Sequence, residues 1–279
     1  ITFSESKNMS IMKRMTVFLA TLVIGLSCAA AELPIKDGKL GKALILGGNS
    51  FTVKIPHYAG LKPAKAITIS AWIKPERVGK GEWEWQEIYR KEDGNARALM
   101  AIGEYEKKHS LCFGLGIGGK YVGHGVALEP SKLLDGKWHL VSVTFDGKAM
   151  TFYADGQEIG ASTKASGAID TQGEAPAYIG SYIGTGEFFK GGIDDVRLYN
   201  RALSTGEIKT MALGDGKAAV SGIVGWWKLD GDLKNSAAEA PKKLLAKLEG
   251  PHIPVMPKSP PSSWLTYHLA HPGPDNALP

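Results

Sequence analysis

Cysteine is almost missing: the 279 residues hold two, Cys28 and Cys112. Removal of an N-terminal leader through Ala31 leaves Cys112 alone, which excludes a disulfide-framed scaffold. Cys112 lies in the strand-like run Ser110-Leu111-Cys112-Phe113-Gly114-Leu115-Gly116 and reads as a small core residue with no activating partner nearby. A basic stripe is missing too. The net charge of +5 falls to +3 once residues 1–31, with Lys7, Lys13, Arg14 and Glu5, are set aside. The rest is scattered, so no surface for a phosphate backbone is expected and nucleic acid is set aside as a partner. The seven histidines are dispersed without metal-ligand spacing, and no P-loop, Ser-His-Asp order or GxGxxG before a helix occurs. Apolar runs are short. The longest N-terminal one, Met15 to Leu26, falls below the roughly 20 residues needed to span a bilayer, so no transmembrane segment is expected.

What is abundant is glycine, 35 residues, much of it in Asp-Gly pairs, which points to many tight turns and an all-β fold. Residues 1–8 precede Met9 and Met12, either of which is expected to start a secretory signal. Lys13 and Arg14 form its basic region, Met15 to Leu26 its apolar core, and Ala29-Ala30-Ala31 its cleavage site. A secreted, periplasmic or cell-surface protein is expected. The alternative is lipid attachment at Cys28, although Gly25-Leu26-Ser27 before it places glycine where a lipobox wants leucine.

Strand-like runs then follow one another. In Ala66 to Lys74, Ile67, Ile69, Ala71 and Ile73 share one face at a period of two. Lys42 to Leu46, Ser50 to Ile55, Glu87 to Arg90, Ala98 to Glu104, Leu111 to Ile117, Ala177 to Ser181 and Ile193 to Tyr199 read the same way. The clearest hairpin runs from Lys137 to Gly160, with turns at Asp146-Gly147 and Asp155-Gly156. Residues 204–213, and part of 233–249, read as helical. Ser204 and Glu207 have capping-box spacing. Many short antiparallel strands with glycine turns predict a two-sheet antiparallel sandwich with one short helix after the closing strand.

Four ordered motifs carry a family resemblance: Gly41-Lys42-Ala43-Leu44, Ile69-Ser70-Ala71-Trp72, Trp138-His139 leading to Tyr153-Ala154-Asp155-Gly156, and the closing run 190–208, Lys-Gly-Gly-Ile-Asp-Asp-Val-Arg-Leu-Tyr-Asn-Arg-Ala-Leu-Ser-Thr-Gly-Glu-Ile. Over roughly 40–215 the chain resembles the laminin-G-like and pentraxin-like jelly rolls of the concanavalin A-like lectin/glucanase superfamily. One departure is informative. The first strand of such domains resembles Gly222-Ile223-Val224-Gly225-Trp226-Trp227-Lys228-Leu229-Asp230, which here comes after the closing strand. First and last strands are neighbours in this superfamily, so 222–230 is expected to dock beside the closing strand, a circular permutation within a 32–250 domain. The alternative is that 222–250 opens a second repeat. Residues 251–279 are proline-rich and expected to be disordered.

The resemblance implies binding more than catalysis. A secreted, non-catalytic module recognising a polysaccharide, a glycoprotein or another cell-surface partner is the expectation. A structural or adhesive domain is the alternative, and a β-glucan hydrolase stands behind both. Sugar recognition needs exposed aromatic faces, and Trp83, Trp85, Tyr105, Tyr121, Tyr182 and Phe188 lie in or beside loops. Of the strand tryptophans Trp72, Trp138, Trp226 and Trp227, at least half should be core. Pentraxin-like relatives imply calcium, with Asp93 and Asn95 as its candidate ligands and Glu187 as the one further carboxylate in the second ligand region. Hydrolysis would need paired carboxylates. The nearest text, Glu82-Trp83-Glu84-Trp85-Gln86-Glu87, places Glu82, Glu84 and Gln86 on one face and Glu87 on the other, and lacks the aspartate of the glucanase pattern. Asp194 and Asp195 are expected to hydrogen-bond within the closing strand, with Arg197 or with a turn.

Overall fold

The computed structural model describes residues 34–49, 51–76, 85–214, 219–238, 240–241 and 245–250. The expected leader, Trp83 with Glu82 and Glu84, and the proline-rich 251–279 segment lie outside them. In chain order the strands are β1 (Ile35–Asp37), β2 (Lys42–Gly47), β3 (Thr52–Ile55), β4 (Ile67–Pro75), β5 (Gln86–Asp93), β6 (Ala96–Tyr105), β7 (Lys108–Ile117), β8 (Lys120–Ala127), β9 (His139–Phe145), β10 (Met150–Ala154), β11 (Gln157–Ser162), β12 (Ala177–Ile179), β13 (Lys190–Tyr199), β14 (Ile223–Trp227) and β15 (Lys247–Glu249). Two helices join them, α1 (Pro130–Leu133) and α2 (Thr205–Ala212).

The strands form two antiparallel sheets, and the two-sheet sandwich expected from the turns, with the jelly roll that the resemblance implies, is what the chain adopts. The first sheet runs β1-β2-β13-β4-β9-β10-β11 with β14 also on β13, and the second runs β15-β3-β12-β5-β6-β7-β8. Alternation explains the core. Ile67, Ile69, Ala71 and Ile73 of β4 are fully buried against Ile88, Met100, Phe113 and Ile179 of the opposite sheet, within one cluster. The other face of β4 is covered as well: Trp72 packs with Tyr199, Leu203, Ile208 and Met211 beneath α2. Ser204 caps α2, with a reciprocal bond from Glu207, as the spacing predicts. Arg201 donates two bonds to the same Glu207 carboxylate and holds it down to about 2.

Three details depart from expectation. β8 was not apparent in the sequence: Gly118 and Gly119 take positive φ and turn β7 back into a further strand. The described part of 233–249 contains no helix and ends in strand β15. The one-turn helix α1 is additional.

One topological feature matters below. β2 and β14 share one edge of β13. β2 pairs with Lys190–Ile193, while β14 pairs with Val196–Tyr199. A bulge at Asp194–Arg197 falls where the two part. Trp227 is buried in the main core and Trp226 faces outward.

Candidate functional site

The outer face of the second sheet collects most of the aromatic candidates. Register places Arg90, Leu99, Gly114 and Gly123 in one row across β5–β8, and Glu87, Ala101, Cys112 and Gly125 in the next. The rows are paved with small residues, and rings lie across them. A Cβ added at Gly114 or Gly123 would fall 2.5 Å from Tyr121, one at Gly125 2.6 Å from Tyr105, and one at Gly103 2.9 Å from Trp85. Glycine is therefore what lets the rings lie flat. Beneath them Leu99, Ala101 and Cys112 form a small buried cluster against Trp85 and Tyr105. Burial pushes the Cys112 thiol well up, which fits its core role. Tyr121 is 43% exposed, so a large ring stands open to solvent on this face.

Beside the rings runs a charged network that is closed on itself. Arg90 donates from Nε to Glu92 at 2.7 Å and from Nη1 to Glu87, while its Nη2 lies 2.5 Å from Glu92. Glu187 approaches the same guanidinium at 3.8 Å. Arg97 donates from Nε and Nη2 to the Gly94 carbonyl and pairs with Glu92 at 3.1 Å. Aromatic rings cap both cations, Tyr182 lying 4.3 Å from the Arg90 guanidinium carbon and Tyr121 5.0 Å from that of Arg97. Glu87 is 1% exposed. Burial raises its carboxyl well above the usual range, Arg90 opposes that, and nearby Glu187 adds to it. Its Oε2 has no hydrogen-bond partner.

This geometry brings Trp85, Tyr105, Tyr121 and Tyr182 to one face of one sheet. It does not assemble the calcium candidates. Asp93 accepts from the Ala175 amide at 3.1 Å, and Asn95 donates to the Gly119 carbonyl at 2.8 Å, so each ties down a neighbouring loop. Among the described residues no three His, Cys, Asp or Glu side chains are placed to share a metal, and calcium wants six to eight oxygens. The carboxylate text is also structural where it is described. Gln86 bonds the Glu76 carbonyl and the Lys190 amide, and Glu87, on the opposite face as alternation predicts, is sealed by Arg90. Asp195 pairs with Arg197 at 2.6 Å and Asp194 accepts from the Lys39 and Leu40 amides. Sequence reasoning missed Arg90, Arg97 and the glycine floor. Its signal was there, since Gly114, Gly116, Gly123 and Gly125 repeat at the strand period.

The fold defines a two-sheet jelly roll with an aromatic open face. Residues 47–209 match the family model of the concanavalin A-like lectin/glucanases superfamily, and the chain belongs to that superfamily. Among solved structures, a candidate carbohydrate-binding protein of Bacteroides ovatus matches at 20% identity and TM-score 0.54, over 75% of this chain and 61% of that one. Domain 4 of AbnA, an extracellular GH43 arabinanase of Geobacillus stearothermophilus solved with arabinotriose, matches at 23% identity and TM-score 0.48, over 64% and 80%. The binding domain of Paraclostridial Mosquitocidal Protein 1 matches at 18% identity and TM-score 0.47, and the match spans 64% of this chain but only 44% of that one. No curated protein sequence matches the chain. No helix among the described residues is long and apolar enough to cross a membrane.

Proposed function

We propose that the protein is a non-catalytic binding module that lays an uncharged stretch of polysaccharide or glycoprotein glycan across the outer face of the second sheet. The observation that carries this reading is the set of rings on glycine: glycine beneath Trp85, Tyr105 and Tyr121 lets them lie against the sheet and present flat apolar surface. The preference for uncharged sugar follows from the network beside them. Recognition of a sugar carboxylate or sulfate calls for a guanidinium fork with free donors. Here Nε, Nη1 and Nη2 of Arg90 are all committed to glutamates, Arg97 is committed to Gly94 and Glu92, and rings cap both. Catalysis is set aside because the two described carboxyls that burial raises, Glu87 and Asp194, are both sealed inside the protein, away from any glycosidic bond. The likeness in fold to the Bacteroides ovatus protein agrees with a sugar ligand. Export through residues 1–31, with Cys28 lipidation as its variant, and a single domain over 32–250 belong to the same proposal. Pairing of β14 with β13 supports the latter.

The test is a glycan array carrying neutral and acidic structures, probed with calcium and again with EDTA. Binding to neutral glycans that survives EDTA and disappears in the Trp85→Ala/Tyr121→Ala double variant is the expected result. Retention by acidic glycans alone removes the uncharged-ligand reading. EDTA sensitivity restores calcium, and a blank array leaves the structural or adhesive alternative.

A further inference from the structure

Where β2 and β14 part along the edge of β13, the outer surface of the first sheet opens into a cavity of about 230 Å³, lined by Leu40, Gly41, Asp195, Arg197, Trp226, Lys228 and Asp230. Several independent features meet at this notch. Asp195 and Leu229, neither a glycine, hold left-handed backbone at φ +51° and +61°. Such conformations cost energy and persist where surrounding structure enforces them, often at binding sites. Arg197, within that lining, is 3% exposed and its Nε has no hydrogen-bond partner. A buried donor left open asks for a partner that accepts.

The rest of the lining narrows its chemistry. Trp226 donates to Asp195, and its ring is flanked by Arg197 at 4.9 Å and the Lys228 ammonium at 4.5 Å. Asp230 accepts from the Lys42 amide at 2.7 Å through one carboxylate oxygen. Two cations and two carboxylates line the space, so a charged ligand gains nothing net from either sign. Hydroxyl groups donate and accept at once and match such a mixed lining. An indole supplies the apolar surface for ring C–H groups. The volume is below the roughly 300 Å³ at which drug-sized pockets begin, which suits one ring and no chain. Lys228 is exposed, and an exposed cation–π contact is worth only about 0.5–1 kcal/mol, so a ligand can displace it from the indole.

We propose that this notch is a second binding site, for one uncharged polyhydroxyl ring such as the terminal sugar of a glycan. It lies on the sheet opposite the aromatic face and does not depend on that face being a site. The experiment follows the Trp226 indole N–H in the ¹⁵N-labelled full chain, assigned with Trp226→Phe, during titration with glucose, galactose, mannose and arabinose. A saturable shift with at least one of them is expected. Tyr121→Ala, on the other sheet, should leave it unchanged, and Asp195→Asn should weaken it at least tenfold. Lys228→Trp fills the mouth from an exposed position and should erase it, which keeps the test sound if Asp195→Asn misfolds. No shift with any of the four sugars means a cavity filled by water alone and overturns the site. A shift that survives Lys228→Trp, one that vanishes in Tyr121→Ala, or a response confined to acetate or sulfate also overturns it.

Discussion

The outer face of the second sheet and the notch at the edge of the first are built from the same kinds of side chain, arginine, carboxylate and large aromatic ring. They leave them in opposite conditions. On the face, Arg90 and Arg97 are held by Glu87, Glu92 and Gly94 and capped by rings, with Glu87 Oε2 left without a partner, so what solvent meets is apolar ring surface. At the notch, Arg197 keeps a buried Nε without a partner, and the neighbouring backbone is strained at Asp195. The difference teaches where polar recognition can still happen. A satisfied network gives rigidity and shape, because its hydrogen-bonding capacity is already spent. An unsatisfied one costs stability and retains capacity for a ligand.

The largest expected effect comes from breaking the satisfied network. Arg90→Met removes the cation that neutralises Glu87 and Glu92 in a buried setting, and deleting one partner of such a pair costs roughly 3–5 kcal/mol. Urea denaturation at neutral pH should show a loss of about 3 kcal/mol, smaller at pH 5, where Glu87 binds its proton more readily. A variant as stable as the parent at pH 7 would show that the network is ornamental and would dissolve the contrast with the notch.

The next effect has the opposite sign. Burial, opposed by the Lys39 and Leu40 amides, raises Asp194 to about 7. Between about pH 4 and 7 the folded chain therefore holds a proton that the unfolded chain has released, so this group makes stability fall as pH rises. The side-chain amide introduced by Asp194→Asn keeps an acceptor for the two backbone amides and carries no charge. The variant should match the parent near pH 4 and exceed it at pH 8. His139 sits between Asp155 and Asp135 at 2.8 and 3.0 Å, and that raises its pKa. Its stabilisation is present below about pH 6.5 and is lost as pH rises through the raised value. It contributes equally to both proteins and cancels in the difference. Parallel pH profiles would remove Asp194 as an unsatisfied group.

The architecture was largely legible because it rests on local signals. Period-two runs such as Ile67 to Ile73, the Asp155-Gly156 turn and the Ser204–Glu207 box each encode their own conformation. β8 was hidden because Gly123, Gly125 and His124 dilute the alternation, and its glycines answer to Tyr105 and Tyr121 rings far off in sequence or on the neighbouring row. The loop aromatics could be named, but their gathering on one face depends on register between β5, β6, β7 and β8. The closed arginine network depends on the same register plus the chain return at Glu187, and no spacing within Glu87 to Arg97 announces it. The notch was less legible still. It exists because two strands distant in sequence share one edge of β13.

The smallest change in stability should accompany a marked change in binding, and it separates floor from fold. Gly114 has ordinary backbone and is glycine because Tyr121 lies over it: a Cβ there would fall 2.5 Å from the phenol. That ring is 43% exposed and can lift away at little cost. Gly114→Ala should therefore alter unfolding free energy by no more than about 1 kcal/mol, the roughly 0.5–1 kcal/mol that alanine gains over glycine in a strand offsetting the lifted ring. The lifted ring no longer presents a flat surface, and titration calorimetry with whichever neutral glycan the array identifies should show affinity reduced severalfold. The Trp226 response at the notch should not move, since the core of the sandwich lies between the two sheets. If affinity holds while Tyr121 is displaced, the glycines serve packing alone and the face loses its claim as a platform.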